Sequence, residues 1–411
     1  VFNAVYNIVV RSYYLGVSIA SLFKNEKAKK WIAGQQYFKS VDKSKLAGSR
    51  VVWFHCASVG EFEQARPVIE GQKEIDPTVK ILLTFFSPSG FELRKDYPFA
   101  DCVTYLPLDT SKNARAFLNY FEPDVVVFIK YELWFNFIHE ITERSIPMSL
   151  ICAHFPSNHV IFNPLFKELL NRLKALSSIQ VQNIETKNRL EQEGLSNVQL
   201  AGDTRYDRVM DVARLPFEDK SLESFVGQDQ VLVIGSFWMS DFKMLFEGIK
   251  GIPNLKVIVV PHELSANNQA VWKNQFGSKI SIWSQRNDEE MALKKVLYVD
   301  LVGLLSRLYR FATIAYVGGG FESAVHNTLE PTVYGVPVVF GPLNKRFEEV
   351  QQLKKIGGGF EIHNQSEFSK TLKMLLSDEE RRSAIHLDLQ EHFETNVGAT
   401  NTALSWVQKC L

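Results

Sequence analysis

The sequence predicts two doubly wound α/β domains, each a parallel sheet flanked by helices, facing across a cleft. Short β-branched and aromatic runs alternate with helical stretches, which is the pattern of βαβ units. Those runs are near-continuously apolar, as strands buried on both faces must be. A length of 411 residues exceeds one ordinary domain and suits two of roughly 200 residues each. The composition, 45% apolar and 22% charged, excludes a disordered chain.

Residues 1–23 are mostly apolar, and a basic stretch follows from Lys24 to Lys30. A secretory leader carries its charge before the apolar run, and this segment carries it after. Arg11 sits near the middle, where a charge is expensive in a bilayer, so a full span is not expected. The expected form of 1–30 is a membrane-associating helix at the interface, its lysines toward anionic headgroups. The alternative is an ordinary helix packed on the protein's own core. The chain opens on Val1, so an initiator methionine is expected to precede it.

The first domain, 31–210, is expected to hold strands at 51–57, 80–86, 102–108, 124–130, 149–155, 178–182 and 198–201. The segment 208–230 breaks the rhythm with Pro216, several acids and few apolar runs, and it marks the boundary. The second domain, 211–411, is expected to hold strands at 231–237, 256–261, 280–283, 296–300, 313–318, 336–340 and 359–362.

Charge and cysteine content exclude some functions. Lys plus Arg and Asp plus Glu are each 46, which argues against a general nucleic-acid binder. Cys56, Cys102, Cys152 and Cys410 show no paired spacing, so neither a zinc knuckle nor a disulfide framework is indicated. A reduced, cytosolic setting follows.

In doubly wound sheets, ligands bind at the carboxyl ends of the strands. The first strand ends at Ala57, and a turn through Ser58 and Gly60 leads into a helix with Glu61 in its first turn. Gly60 is expected to supply the sharp turn and close approach of a ligand. The helix dipole is expected to keep Glu61 ionised, so that it can accept a proton from a hydroxyl. The same dipole explains an acid there without any chemistry. Glu132, directly after the 124–130 strand, could bind substrate or orient Glu61; it could equally be a plain helix-start acid.

In the second domain, Gly318-Gly319-Gly320 precedes His326-Asn327-Thr328-Leu329-Glu330-Pro331. Glycines admit a phosphate close to the backbone, a helix start can bind it, and Glu330 could take ribose hydroxyls. Asn327-x-x-Glu330 is also a capping-box pattern. Gly235-Ser236 and Pro261-His262 end two further strands on the same edge; a lone histidine such as His262 is more often structural. No metal-binding or P-loop motif is present, so no metal cofactor is indicated.

Taken together, these pieces resemble the 3-deoxy-D-manno-octulosonic acid (Kdo) transferases of Gram-negative bacteria. The matching residues are 55–61, Tyr131-Glu132-Leu133-Trp134 with Asn136, Gly202-Asp203-Thr204-Arg205-Tyr206-Asp207, Gly235-Ser236, Gly318-Gly319 and 326–331, in the family's order. The resemblance implies a GT-B type fold of two Rossmann-like domains. It implies inverting, metal-independent transfer of Kdo from CMP-Kdo to a lipid A precursor in lipopolysaccharide synthesis. The place would be the cytoplasmic face of the inner membrane, with no cofactor and no nucleic acid partner. Glu61 matches the general base, with Ser58, Gly60 and Glu132 toward the acceptor. Gly235, Ser236, Pro261, His262, Val302, Gly303, Leu304, Gly318, Gly319, Asn327, Thr328, Leu329 and Glu330 match CMP-contacting positions. The chain departs from the pattern at Pro261-His262, Gly303-Leu304, Ala153-His154-Phe155 and Ser236-Phe237-Trp238. Rival readings are a GT-B transferase with another donor, a nucleotide-sugar epimerase, and an inactive sugar-nucleotide-binding relative.

Overall fold

A computed structural model describes residues 2–411. The chain forms two compact units, one running to Asp207 and taking back Asn396–Leu411, the other Arg208–Thr395. In the first lie β1 (Val51–Cys56), β2 (Lys80–Phe85), β3 (Cys102–Tyr105), β4 (Val125–Ile129), β5 (Met148–Ala153), β6 (Ser178–Val181) and β7 (Val198–Leu200). In the second lie β8 (Gln230–Phe237), β9 (Leu255–Pro261), β10 (Ile280–Ile282), β11 (Val296–Tyr298), β12 (Ile314–Val317), β13 (Val338–Phe340) and β14 (Gly359–Glu361). All fourteen expected strands are present, with ends within three residues of the expected ones.

The sheet orders are β3-β2-β1-β4-β5-β6-β7 and β10-β11-β9-β8-β12-β13-β14, and the strand pairs are parallel. Each order reverses direction once, between β1 and β4 and between β8 and β12. Those switch points open a crevice at the strands' carboxyl ends. The central strands are apolar on both faces because both faces are covered. Along β1, Trp53 packs into one core layer while Val52, Phe54 and Cys56 pack into the other. Full burial of a side chain such as Phe54 is worth roughly 1.5–3 kcal/mol.

The helix Phe2–Leu22 is held on the first unit by polar as well as ring contacts. Tyr6 donates its hydroxyl to Asp109 Oδ2 at 2.5 Å. Asp109 also accepts from the backbone N–H of Asn136 and Phe137, at the start of the helix Phe135–Glu143. Burial pushes the Asp109 carboxyl up to about 6. Tyr13 meets Trp31 edge to face at 5.5 Å. Val5, Ile8, Val9, Leu15, Ile19 and Leu22 remain exposed at helical spacing and form an apolar stripe. Among the described residues, no helix is long and apolar enough to cross a membrane.

The last helix, Ala399–Cys410, differs from expectation. The sequence reading places it in the second domain, but it packs on the first unit's helix Val59–Ile75. Gly71 leaves room for Leu404 there. Asp207 caps the segment, accepting from the N–H of Gly398 at 2.6 Å and Thr400 at 2.8 Å.

Candidate active site

In the first unit, β1 and β4 bring two carboxyls together at the switch point. Ser58 is the N-cap of the helix Val59–Ile75, and its hydroxyl accepts from the N–H of Glu61 at 3.4 Å. The Glu61 carboxylate turns back and accepts from the N–H of Ala57 at 2.5 Å. Glu132 follows β4, and its carboxyl lies within hydrogen-bonding reach of Glu61 and of Trp134. Glu61 is 7% exposed, so little water reaches the pair. Burial, then the charge of Glu132, pushes Glu61 up to about 7. Burial likewise pushes Glu132 up to about 7. The expectation that the helix dipole keeps Glu61 readily ionised is thus corrected: desolvation and a like charge outweigh the dipole.

A buried chain of hydrogen bonds fixes the floor beneath this pair. The indole N–H of Trp134 can only donate, and it donates to His55 Nε2 at 2.9 Å. His55 therefore carries its proton on Nδ1, which donates to Thr84 Oγ1 at 2.9 Å. Thr84 also accepts from Trp53 Nε1 at 2.8 Å and donates to the Phe54 carbonyl at 3.3 Å. Burial pushes His55 down to about 3. It is neutral at ordinary pH, so its 3.6 Å approach to Glu132 is not an ion pair.

Gly60 does not make the turn. It lies in the helix's first turn outside the left-handed region, and the bend falls on extended Ser58, φ −139° and ψ 170°. A Cβ on Gly60 would meet only the Ser58 hydroxyl, at 3.8 Å. The missing side chain leaves the ground beside Glu61 bare. Lys130, at the end of β4, has a left-handed φ of 66°, and its charge favours ionised Glu61. Such backbone strain in a lysine costs of order 1–3 kcal/mol and collects at functional sites.

In the second unit, a cleft of about 280 Å³ opens at the β8–β12 switch point. Ser236, Gly303, Leu305, Ser306, Tyr309, His326, Asn327 and Glu330 line it. Ser236 has a left-handed φ of 51°. Gly318 is required beside it, because a Cβ there would strike the Ser236 carbonyl and the Phe237 backbone. Of the expected residues, the cleft gathers Ser236, Gly303, Asn327 and Glu330. Thr328 and Leu329 are fully buried, so their side chains do not reach it. Val302 is 87% exposed and is not among the lining residues. His262 stands outside the lining but stacks on Trp238 and His326. Gly235, Pro261, Leu304, Gly318 and Gly319 are likewise not among the lining residues.

The expected capping box does not form. The helix Leu329–Thr332 is one turn long and starts at Thr328. Asn327 Oδ1 instead accepts from the N–H of Leu329 at 3.1 Å, and its amide donates to Glu330 Oε1 at 3.3 Å. Tyr309, Ser306, His326 and Trp238 were not nominated from sequence. His326 stood inside a quoted motif, but its contacts lie far along the chain.

The architecture is of the GT-B type, two units each built on a seven-stranded parallel sheet. A family model described as 3-deoxy-D-manno-octulosonic-acid transferase (kdotransferase) matches residues 31–208. A 3-deoxy-D-manno-octulosonic acid transferase of Aquifex aeolicus is 28% identical over 336 residues, 79% of this chain and 86% of that one. The Chlamydophila psittaci enzyme of the same description is 26% identical over 347 residues, 81% of this chain and 79% of that one. Among solved structures, UDP-GlcNAc 2-epimerase from Neisseria meningitidis superposes with a TM-score of 0.59 at 15% identity, over 88% of this chain and all of that one. At that identity the likeness concerns the fold alone. Residues 31–208 thus match the Kdo transferase family, and the chain is a glycosyltransferase similar to those enzymes.

Proposed function

We propose that the protein transfers Kdo from CMP-Kdo to a lipid A precursor of the lipid IVA type, with inversion, at the cytoplasmic face of the inner membrane. The observation that carries this reading is the buried Glu61–Glu132 pair at the first switch point. A general base works best with a pKa near the working pH, and Glu61 is held at about 7.

In this reading the sugar nucleotide occupies the second unit's cleft, with Glu330 toward the ribose and neutral donors toward the phosphate. The acceptor lies against the first unit. Its hydroxyl oxygen attacks the anomeric carbon of Kdo and gives its proton to Glu61. The bond from that carbon to the phosphate oxygen breaks, and the electron pair leaves on CMP. The transition state is oxocarbenium-like. CMP is a stable phosphate monoester and needs little acid assistance, so the reading includes no metal or other cofactor. The exposed stripe on Phe2–Leu22, followed by the lysines 24–30, supports association with an anionic membrane surface.

The test is mass spectrometry of a lipid A precursor incubated with the protein and freshly made CMP-Kdo, beside Glu61→Ala. The expected result is a Kdo mass gain with the wild type, and a rate about 10²–10⁴ lower for the variant. Undiminished transfer by Glu61→Ala would remove the base assignment. No transfer with CMP-Kdo, but transfer from another nucleotide sugar, would replace the donor.

A further inference from the structure

We propose that Trp238 is a positioning residue that fixes His326 as a neutral hydrogen-bond donor to the anionic part of the sugar nucleotide. This rests on the reading that the second unit's cleft is the nucleotide site.

The donor direction follows from elementary chemistry. An indole N–H has no acceptor capacity. Trp238 Nε1 lies 3.2 Å from His326 Nε2. Nε2 must therefore accept, and the ring proton of a neutral His326 must sit on Nδ1. Nδ1 has no hydrogen-bond partner among the described residues and is not among the buried unpaired atoms. His326 lines the cleft, so that proton is available to a ligand.

The surroundings hold this arrangement and keep the ring uncharged. The Trp238 and His326 rings are nearly parallel, 11° apart. His262 stacks on both, at 4.4 Å from Trp238 and 4.5 Å from His326. Burial, then the neighbouring His262, pushes His326 down to about 4. The backbone N–H of Trp238 donates to Asp241 Oδ2 at 3.1 Å and anchors the residue. The backbone N–H of His326 donates to the Gly318 carbonyl at 3.1 Å. A Cβ on Gly319 would press on the imidazole, so glycine there leaves the ring its place.

The cleft lining supplies neutral donors rather than cations. No lysine or arginine is among the residues lining it, and Glu330 adds a carboxylate. The Asn327 amide already gives one of its two N–H groups to Glu330, and its oxygen accepts from Leu329. Beside backbone N–H groups, the side-chain donors the lining offers a phosphate are neutral: the hydroxyls of Ser236, Ser306 and Tyr309, the Asn327 amide and the Nδ1–H of His326. The opposite tautomer would turn an imidazole lone pair toward the anion.

The test uses the full chain labelled with ¹⁵N-histidine and the variants Trp238→Phe, His326→Asn and their combination. Long-range ¹⁵N–¹H correlation at pH 7.5, with His326 assigned by its loss in His326→Asn, should show Nδ1–H in the wild type. Trp238→Phe keeps a ring against His262 but loses the donor, so the proton should move largely to Nε2. Calorimetric titration with CMP, UMP, GMP and AMP should show the preferred nucleotide bound about 10–100-fold more weakly by Trp238→Phe, the range for a hydrogen bond to a charged group. The asparagine amide can stand where Nδ1–H stood, so the double variant should regain most of that affinity. An Nε2–H tautomer in the wild type overturns the proposal. So does unchanged affinity in a Trp238→Phe protein whose tautomer has moved. Preference for a nucleotide other than CMP would overturn the donor reading alone, since the Trp238 comparison is then made on the nucleotide that binds.

Discussion

Replacing Glu132 by glutamine tests whether the two carboxyls at the first switch point act as a pair. The rise of Glu61 from 4.5 to about 7 amounts to about 3 kcal/mol in favour of its protonated form. Burial contributes most and the charge of Glu132 comes next. Glutamine removes the charge and keeps the burial. The acid limb of the kcat/KM profile should therefore move down by about one pH unit, roughly a fivefold gain in ionised base at pH 6. Stability should respond with a definite sign. Both carboxyls are raised in the folded chain, so their contribution to folding is fully present below about 4.5 and is lost as the pH rises to about 7. Glutamine does not ionise and escapes that loss. Urea denaturation should find Glu132→Gln similar to wild type at pH 4.5 and more stable at pH 8, by on the order of 3 kcal/mol at most. An acid limb that stays where it was, together with a stability difference independent of pH, would refute the coupling.

Two further outcomes follow from the packing. Gly318→Ala places a methyl against the Ser236 carbonyl and the Phe237 backbone; the second unit should lose several kcal/mol, about the scale of severe overpacking, read as a lower melting temperature and weaker nucleotide binding. Asp207→Ala removes both cap bonds to Gly398 and Thr400; it should cost about 0.5–2 kcal/mol, and amide exchange should quicken across 399–410 while β1 stays protected.

The strands were legible because a parallel strand covered on both faces is apolar along nearly its whole length, and runs such as 51–56 and 255–261 are, His55 and Lys256 apart. Once strand ends are known, Glu61, Glu132, Ser236 and Glu330 fall at the carboxyl edge by topology alone. What stayed hidden depends on pairs distant in sequence. Trp238 and His326 are 88 residues apart, and His55 and Trp134 are 79 apart. No local pattern states that an indole of one faces the imidazole of the other. The final helix shows the same limit. Ala399, Ala403, Leu404 and Val407 mark a buried face, but periodicity names no partner for it. Gly60 misled for a different reason. Glycine after a strand suggests a left-handed turn, yet Ser58 already completes the turn in an extended conformation.

The two switch points solve opposite electrostatic problems with the same topology. Beside β1 and β4, acids are placed where burial and like charge oppose ionisation. That suits a group that must take a proton during reaction and lose it afterwards, because a carboxylate at its ordinary value would hold the proton too weakly. Beside β8 and β12, the cleft carries hydroxyls and a neutral imidazole, without a lysine or arginine in its lining. A strong cation there would bind the phosphate of the donor and of released CMP alike, and uniform binding does not speed the chemical step. In the proposed reading, oriented neutral donors would hold the phosphate while leaving the growth of charge on it, as the sugar departs, to strengthen each hydrogen bond. On that reasoning, introducing a lysine at Ser306 should tighten CMP binding more than it raises turnover, and steady-state kinetics with CMP as product inhibitor separates the two; a rise in kcat with unchanged CMP inhibition would count against the neutral-donor account.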